Sequence, residues 1–375
     1  MYKVLFQNRA DALSNRGGDT TQMLETREEL IGLGLEIDIS LEAEPDVSKY
    51  DIVHIFNIQT ADYGIIQLRN AKAQNVPVVL STIYWDMRHI SPRKEIVEYH
   101  RSPIVRWLAE SHWRAAFSLL ILYKPYRINS FLRNYLHENL IKKLAAEMLQ
   151  EADLLLPNSY AETEILAVLF DAPWVRAKSH IVPNGIRAYQ TESEINFELG
   201  KCFPENYVLQ VGRLEPIKGQ LMVIQALMNE PVIPLVFVGK SSNEGYAKLC
   251  KDLGHRRGNT WFIEEVPYEQ VKHYYERAKV HVLPSLRESP GLVTLEAAIY
   301  GANCVVSFHG PVAEYFGQDV WYCDPLDELS VGKAIMAAME APYNTNLRDR
   351  ILNQFTWHEA AKRTLKAYQK LLGRK

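Results

Sequence analysis

The densest group of chemistry-bearing residues is Arg287-Glu-Ser-Pro-Gly-Leu-Val-Thr-Leu-Glu296. It follows the apolar run Val280–Leu283, which reads as a strand. Ser289 is a favourable N-cap and Pro290 a favourable first helical residue. A helix is therefore predicted from there to about Tyr300, with Gly301 closing it at C′. A helix start presents unpaired backbone N–H groups and the positive end of a dipole, which suits a phosphate. Gly291 would let an anion approach the backbone closely. Glu288 stands just before this start, and Glu296, seven residues after Ser289, falls on nearly the same helix face. Carboxylates do not bind phosphate, but they accept hydrogen bonds from sugar hydroxyls. The arrangement suits a molecule with a phosphate in the middle and a sugar at each end. The competing reading is a capped surface helix with two solvated glutamates.

Two further segments carry weaker signals. Gln210-Val-Gly-Arg-Leu-Glu-Pro-Ile-Lys-Gly219 reads as a strand, a glycine turn at Gly212, then Arg213, a helix opening at Pro216, and Lys218. Arg213 and Lys218 would put two cations over a diphosphate, or else be surface cations of a βα turn. Asn15-Arg-Gly-Gly-Asp-Thr20 places Gly17 and Gly18 between a first strand and a first helix, where backbone amides can meet a ligand or simply make a tight turn.

These segments need a frame. Apolar runs at Tyr2–Phe6, Glu36–Ile39, Ile52–Phe56, Val76–Leu80, Leu154–Leu156 and His180–Val182 alternate with helical patterns. A second series follows at Tyr207–Val211, Leu235–Val238, Thr260–Ile263, Val280–Leu283, Cys304–Val306 and Val320–Tyr322. Strands alternating with helices imply right-handed βαβ crossovers and parallel sheets. The fold class is α/β, with two Rossmann-like domains facing across a cleft. The chain of 375 residues is long enough for two such domains. With 42 basic and 45 acidic residues the net charge is −3, so no bulk attraction to nucleic acid is expected. Cysteines 202, 250, 304 and 323 form neither a CxxC pair nor a zinc spacing and read as buried thiols of a reducing compartment. No leader and no membrane span is recognised, which gives a cytoplasmic expectation.

Taken together, VGRLEPIKG, the Glu-x7-Glu of ESPGLVTLE and VVSFHGPVAEYFG resemble the retaining, nucleotide-sugar-dependent glycosyltransferases of family 4, which have the GT-B fold. Weaker echoes are the Gly17-Gly18 loop, Ala152–Ser159, Ile181–Gly185 and Phe355-Thr-Trp-His. The organisation expected with this fold is an acceptor domain over 1–187, a donor domain over 188–355, and a C-terminal helix over 356–375 packing back on the first domain. The resemblance implies that Arg213 and Lys218 hold the donor diphosphate, with Gly212 in the same turn. Glu288 would meet the donor sugar. Ser289, Pro290, Gly291 and Leu292 would form the phosphate-binding helix start, with the backbone N–H groups of Gly291 and Leu292 facing the phosphate. Glu296 would bind the ribose, Gly17 and Gly18 would face the diphosphate, and Val266 would border the base. No cofactor and no metal is implied beyond a nucleotide-diphosphate sugar, by default a UDP- or GDP-sugar.

The chain departs from the family pattern in Ser81-Thr-Ile-Tyr-Trp-Asp86, where Trp85 stands at the expected histidine. Asp86 and His89 then become the polar candidates on the acceptor side, Trp85 a sugar platform or a packed aromatic, and His309 a residue facing the donor sugar or part of a turn. Phe56 stands where another histidine is often found, and His54 reads as a core histidine. Residues 93–148 carry ten basic and five acidic residues together with several aromatics. They read either as a peripheral contact with anionic membrane or as an extra helical layer. The function expected is sugar transfer from a nucleotide-diphosphate sugar to a hydroxyl of a glycan or glycolipid acceptor. The alternative is a nucleotide-sugar-binding scaffold with impaired turnover.

Overall fold

The structure is a computed structural model and describes residues 2–84, 139–187, 203–308 and 310–373. The chain divides into two compact units. The first comprises Met1–Asn158, Glu162–Val182 and Arg363–Lys375, and the second Ser159–Ala161 and Pro183–Lys362.

The first unit holds a five-stranded parallel sheet of β1 (Lys3–Gln7), β2 (Glu36–Ile39), β3 (Ile52–Phe56), β4 (Val78–Ser81) and β5 (Leu154–Leu155), in the order β2-β1-β3-β4-β5. β3 and β4 are buried at every position, as strands covered on both faces should be. Crossovers come from α1 (Gly18–Gly32) and α2 (Ala61–Ala73). Helical residues 139–151 (α3) add Ala145, Met148 and Leu149 to the core formed by Val53, Ile55, Ile65 and Leu68. The described end of the 93–148 segment thus packs as a helical layer, and the rest of that segment lies outside the described residues. α4 (Tyr160–Leu169) and α5 (Val175–Lys178) follow. His180–Val182 is not a ladder strand. Ser179 makes one isolated bridge to Leu155, and the amides of His180 and Val182 bond Leu155 and Pro157. Pro183 ends this extended stretch, because proline has no N–H to continue a ladder.

The second unit is a six-stranded parallel sheet: β6 (Tyr207–Val211), β7 (Leu235–Val238), β8 (Thr260–Ile263), β9 (Ala278–Leu283), β10 (Asn303–Ser307) and β11 (Trp321–Cys323). Its order is β11-β10-β9-β6-β7-β8. The helices are α6 (Gln220–Ala226), α7 (Glu244–Arg257), α8 (Tyr268–Arg277), α9 (Leu292–Ile299), α10 (Val312–Phe316), α11 (Glu328–Glu340), α12 (Thr345–Gln354) and α13 (Trp357–Leu371). Cores lie on both faces, one built from Tyr207, Val236, Tyr274 and Tyr275, the other from Leu295, Val306, Tyr315 and Phe316. The division between units passes through α13, whose residues from Arg363 on belong to the first unit. Tyr368 on that helix is buried, and its phenol lies 2.6 Å from His54 Nδ1, while His54 Nε2 lies 2.9 Å from Ser81 Oγ. His54 also stacks on Phe56, with ring centroids 4.2 Å apart. It is a satisfied core histidine, and burial holds its pKa down at about 3. Among the described residues no helix is long and apolar enough to cross a membrane.

Candidate functional site

In the second sheet the strand order reverses between β6 and β9, which pair in parallel. The carboxyl ends at such a reversal form the usual ligand crevice of an open α/β sheet. The loop after β6 carries Gly212, Arg213 and Lys218, and the loop after β9 carries Ser285, Glu288 and Gly291. The two loops are tied directly, because Leu286 N–H donates to the Ile217 carbonyl at 2.9 Å. Gln210 and Gln220 brace the first loop by donating to the carbonyls of Lys218, at 2.6 Å, and Arg213, at 2.8 Å.

Lys218 Nζ donates to Glu288 Oε1, and the hydroxyl of buried Ser285 donates to the same oxygen at 2.8 Å. The Lys218 and Glu288 side chains are only 22% and 11% exposed, so the pair sits low in the rim rather than waving in solvent. Arg213 does not join Lys218 as a second inward cation. Its side chain is 68% exposed, and its guanidinium lies 3.3 Å from Glu215.

The helix start differs from the sequence expectation. Gly291, not Ser289, is the N-cap, and the helix begins at Leu292. Gly291 takes φ 89°, a left-handed conformation that ends the loop and that other residues rarely adopt. A Cβ built there would stand 2.8 Å from Leu283, so the position also lacks room for one. Ser289 therefore remains in the loop, its carbonyl accepting from the Asn184 amide at 3.3 Å, and Pro290 is not the first helical residue. The end of the helix is as expected, with Gly301 donating to the Ala298 carbonyl. The loop brings Glu288 back over the helix start, since its Oε2 would lie 3.5 Å from a Cβ at Gly291.

Because Ser289 is not helical, the seven-residue spacing to Glu296 does not place both on one helix face. Glu296 lies in the second turn of α9, 7% exposed. Tyr268 OH donates to its Oε1 at 2.6 Å, and Tyr275 OH donates to its Oε2 at 2.9 Å. Val266, in the loop before α8, packs half-buried against the Tyr274–Tyr275 core. Sequence reasoning missed Ser285, Tyr268 and Tyr275. A polar residue just after an apolar strand, and two tyrosines seven apart on one amphipathic helix, were the available signals. It also missed the role of Glu314, whose carboxylate accepts the amides of Tyr160 at 2.8 Å and Ala161 at 2.6 Å.

In the first unit Gly17 is the N-cap of α1, at the carboxyl end of β1. Its loop is held by Arg9, which donates to Asp19, Asp11 and the Asn15 carbonyl. A Cβ on Gly17 would meet Asp19 Oδ1 at 2.8 Å, whereas a Cβ on Gly18 would meet nothing within 4 Å. Gly17→Ala is thus expected to lower the melting temperature by several degrees and Gly18→Ala to leave it unchanged or slightly higher. Equal melting temperatures for the two variants in a calorimetric scan would count against this loop geometry. Trp85, Asp86, His89 and His309 lie outside the described residues. No group of three or more His, Cys, Asp or Glu side chains able to hold a metal occurs among the described residues.

Residues 192–356 match the family described as Glycosyl transferases group 1. The D-inositol 3-phosphate glycosyltransferase of Corynebacterium urealyticum is 25% identical, the match covering 95% of this chain and 91% of that protein. A glycogen synthase of Mycobacterium tuberculosis is 30% identical over 43% of this chain and 42% of its own length. Among solved structures, sucrose-phosphate synthase from Thermosynechococcus elongatus superposes with a TM-score of 0.69 at 17% identity, covering 100% of both chains. Anabaena HepE, solved in complex with UDP, superposes with a TM-score of 0.67 at 15% identity, covering 98% of this chain and 100% of that one. At these identities the structural likeness establishes the fold: two parallel α/β sheets of the GT-B type.

Proposed function

We propose that this chain, whose residues 192–356 match glycosyl transferases group 1 and whose relatives over most of its length are named glycosyltransferases, is a retaining enzyme that takes its sugar from a nucleotide-diphosphate donor and passes it to an acceptor hydroxyl. The observation that carries this reading is the Lys218–Glu288 pair, set beside the Gly291–Leu292 helix start at the strand-order reversal of the second sheet. One cation, backbone N–H groups at a helix start and a carboxylate converge there, a set that suits a sugar joined to a phosphate. That HepE, which shares this fold, is solved in complex with UDP agrees with this reading.

In the proposed reaction the bond from the anomeric carbon to the donor phosphate oxygen breaks, and its electron pair leaves with the nucleotide diphosphate. Lys218, with Arg213 at the mouth of the same loop, and the α9 N-terminus stabilise that developing charge. Glu288 holds a hydroxyl of the donor sugar, and Glu296 holds the ribose. The acceptor oxygen forms the new bond on the face the leaving group vacates, and its proton passes to the departing phosphate oxygen. No side-chain general base is required by this path. The acceptor assigned is a glycan or glycolipid, with assembly of a polysaccharide or glycolipid as the setting.

The test begins with a thermal-shift screen of UDP-, GDP- and ADP-sugars. A bound nucleotide at 100 times its dissociation constant stabilises by about 2.7 kcal/mol. With the donor so identified, NMR of the first-formed product is expected to show the donor's anomeric configuration, and turnover is expected to continue in excess chelator. An inverted anomer removes the retaining assignment, and loss of turnover that returns with added divalent cation removes the metal-free one.

A further inference from the structure

We propose that Tyr268 and Tyr275 are positioning residues that make the nucleoside end of this site selective for a ribose cis-diol over a 2′-deoxyribose. The inference rests on the assignment of Glu296 to the ribose. The two tyrosines stand seven residues apart on α8, about two helical turns, and therefore on one face. That face packs on α9 and delivers one phenol to each oxygen of the Glu296 carboxylate, at 2.6 and 2.9 Å.

The consequence follows from the carboxylate's own freedom. The last torsion of a glutamate side chain is broad, so an unbraced carboxylate turns readily about its axis. Two donors, one on each oxygen, fix the carboxylate plane before any ligand arrives. A vicinal diol offers two O–H donors at a fixed spacing and gains fully from a plane already set. A sugar with one of those hydroxyls missing gains less, because one acceptor direction then faces the ligand without a donor. The two tyrosines also differ in a useful way. Tyr275 is buried at 2% exposure, whereas Tyr268 is 50% exposed in the first turn of α8. Tyr268 follows the carboxyl end of β8, on the same rim of the sheet from which α9 starts, so a ligand at Glu296 would lie beside its ring.

Calorimetric titration of the intact chain with UDP, GDP and ADP, each against its 2′-deoxy counterpart, tests this. The wild-type chain is expected to bind the ribonucleotide form of its preferred base about tenfold or more tightly than the deoxy form. Tyr268→Phe is expected to bring that ratio below about threefold, mainly by weakening the ribonucleotide. The melting temperature and the kcat at saturating donor should be unchanged and the KM raised. Tyr275→Phe should move the ratio the same way, and Tyr268→Phe carries the test if the buried variant fails to fold. Glu296→Gln is expected to abolish the discrimination and serves as the check that the assay reads this carboxylate. A wild-type ratio retained in Tyr268→Phe, with Glu296→Gln collapsing it, overturns the tyrosine assignment and leaves the ribose reading intact. A wild-type chain that binds no nucleotide, or binds both forms equally, overturns the assignment of Glu296 and this inference with it.

Discussion

Lys218→Ala is expected to lower turnover by about 10²–10³-fold, the scale of losing one preorganised stabiliser of developing charge. Lys218 is one-fifth exposed and fixed on Glu288, so in the proposed reaction its ammonium would meet the departing phosphate without the reorganisation that a solvent-borne lysine would need. The variant also strands the Glu288 carboxylate, which is 11% exposed and keeps Ser285 as a donor. The two side chains therefore act as a coupled unit, and their effects should not add. Lys218→Ala combined with Glu288→Gln is expected to lose much less than the product of the single losses. Arg213→Ala is expected to cost less than Lys218→Ala, because its guanidinium is largely exposed and shared with Glu215. The measurement is kcat/KM for all four variants with the donor identified by thermal shift, alongside circular dichroism to establish folding. Near-normal turnover by a folded Lys218→Ala chain would remove this lysine from the reaction.

The second large effect concerns acid. His54 and His281 are fully buried, and burial pushes each pKa down to about 3 from an ordinary value of 6.5. Above pH 6.5 both rings are neutral in the folded and the unfolded chain and contribute no pH dependence. As the pH falls below 6.5 the unfolded chain takes up protons that the folded chain refuses, so stability is lost down to the folded value near 3. The slope is about 1 kcal/mol per pH unit for each ring, giving a combined loss of several kcal/mol between pH 6.5 and 4.5. His180, half-buried among Lys370, Lys366 and Arg363, shifts in the same direction and adds to the fall. The carboxylates held below their usual range, Asp11, Asp46 and Glu164, act only at lower pH, because their ordinary values lie at 3.8 and 4.5. Urea midpoints at pH 7.5, 6.5, 5.5 and 4.5 would show the fall. Among the described residues neither ring nitrogen of His281 has a hydrogen-bond partner, so His281→Leu is expected to keep or raise stability at pH 7.5 and to reduce the slope markedly. An unchanged slope in that variant would show that the acid sensitivity arises elsewhere.

Much of the fold was legible because a strand covered on both faces must be apolar throughout. Ile52–Phe56, Tyr207–Val211 and Leu235–Val238 were placed at their observed bounds for that reason. His180–Val182 satisfied the same rule but made only isolated contacts, since an apolar run says nothing about whether a neighbouring edge continues beside it. The helix that carries Glu296 was placed two residues early. Ser289 and Pro290 have the right residue types for a helix start, yet the left-handed turn at Gly291 decides where the helix begins.

The sequence by itself determined that the chain builds two parallel α/β sheets, and that a phosphate-suited helix start, two glutamates and a lysine stand after particular strands. These are local properties, written in runs, spacings and capping types within a few residues. Which of those groups meet was decided by the tertiary structure. Lys218 and Glu288 are 70 residues apart and touch only because β6 pairs with β9 at the reversal of strand order. Glu296 faces two phenols only because α8 packs on α9. Residue type specifies what a group can bind. Strand order and helix packing specify its neighbours, and those follow from how the whole chain buries its apolar surface.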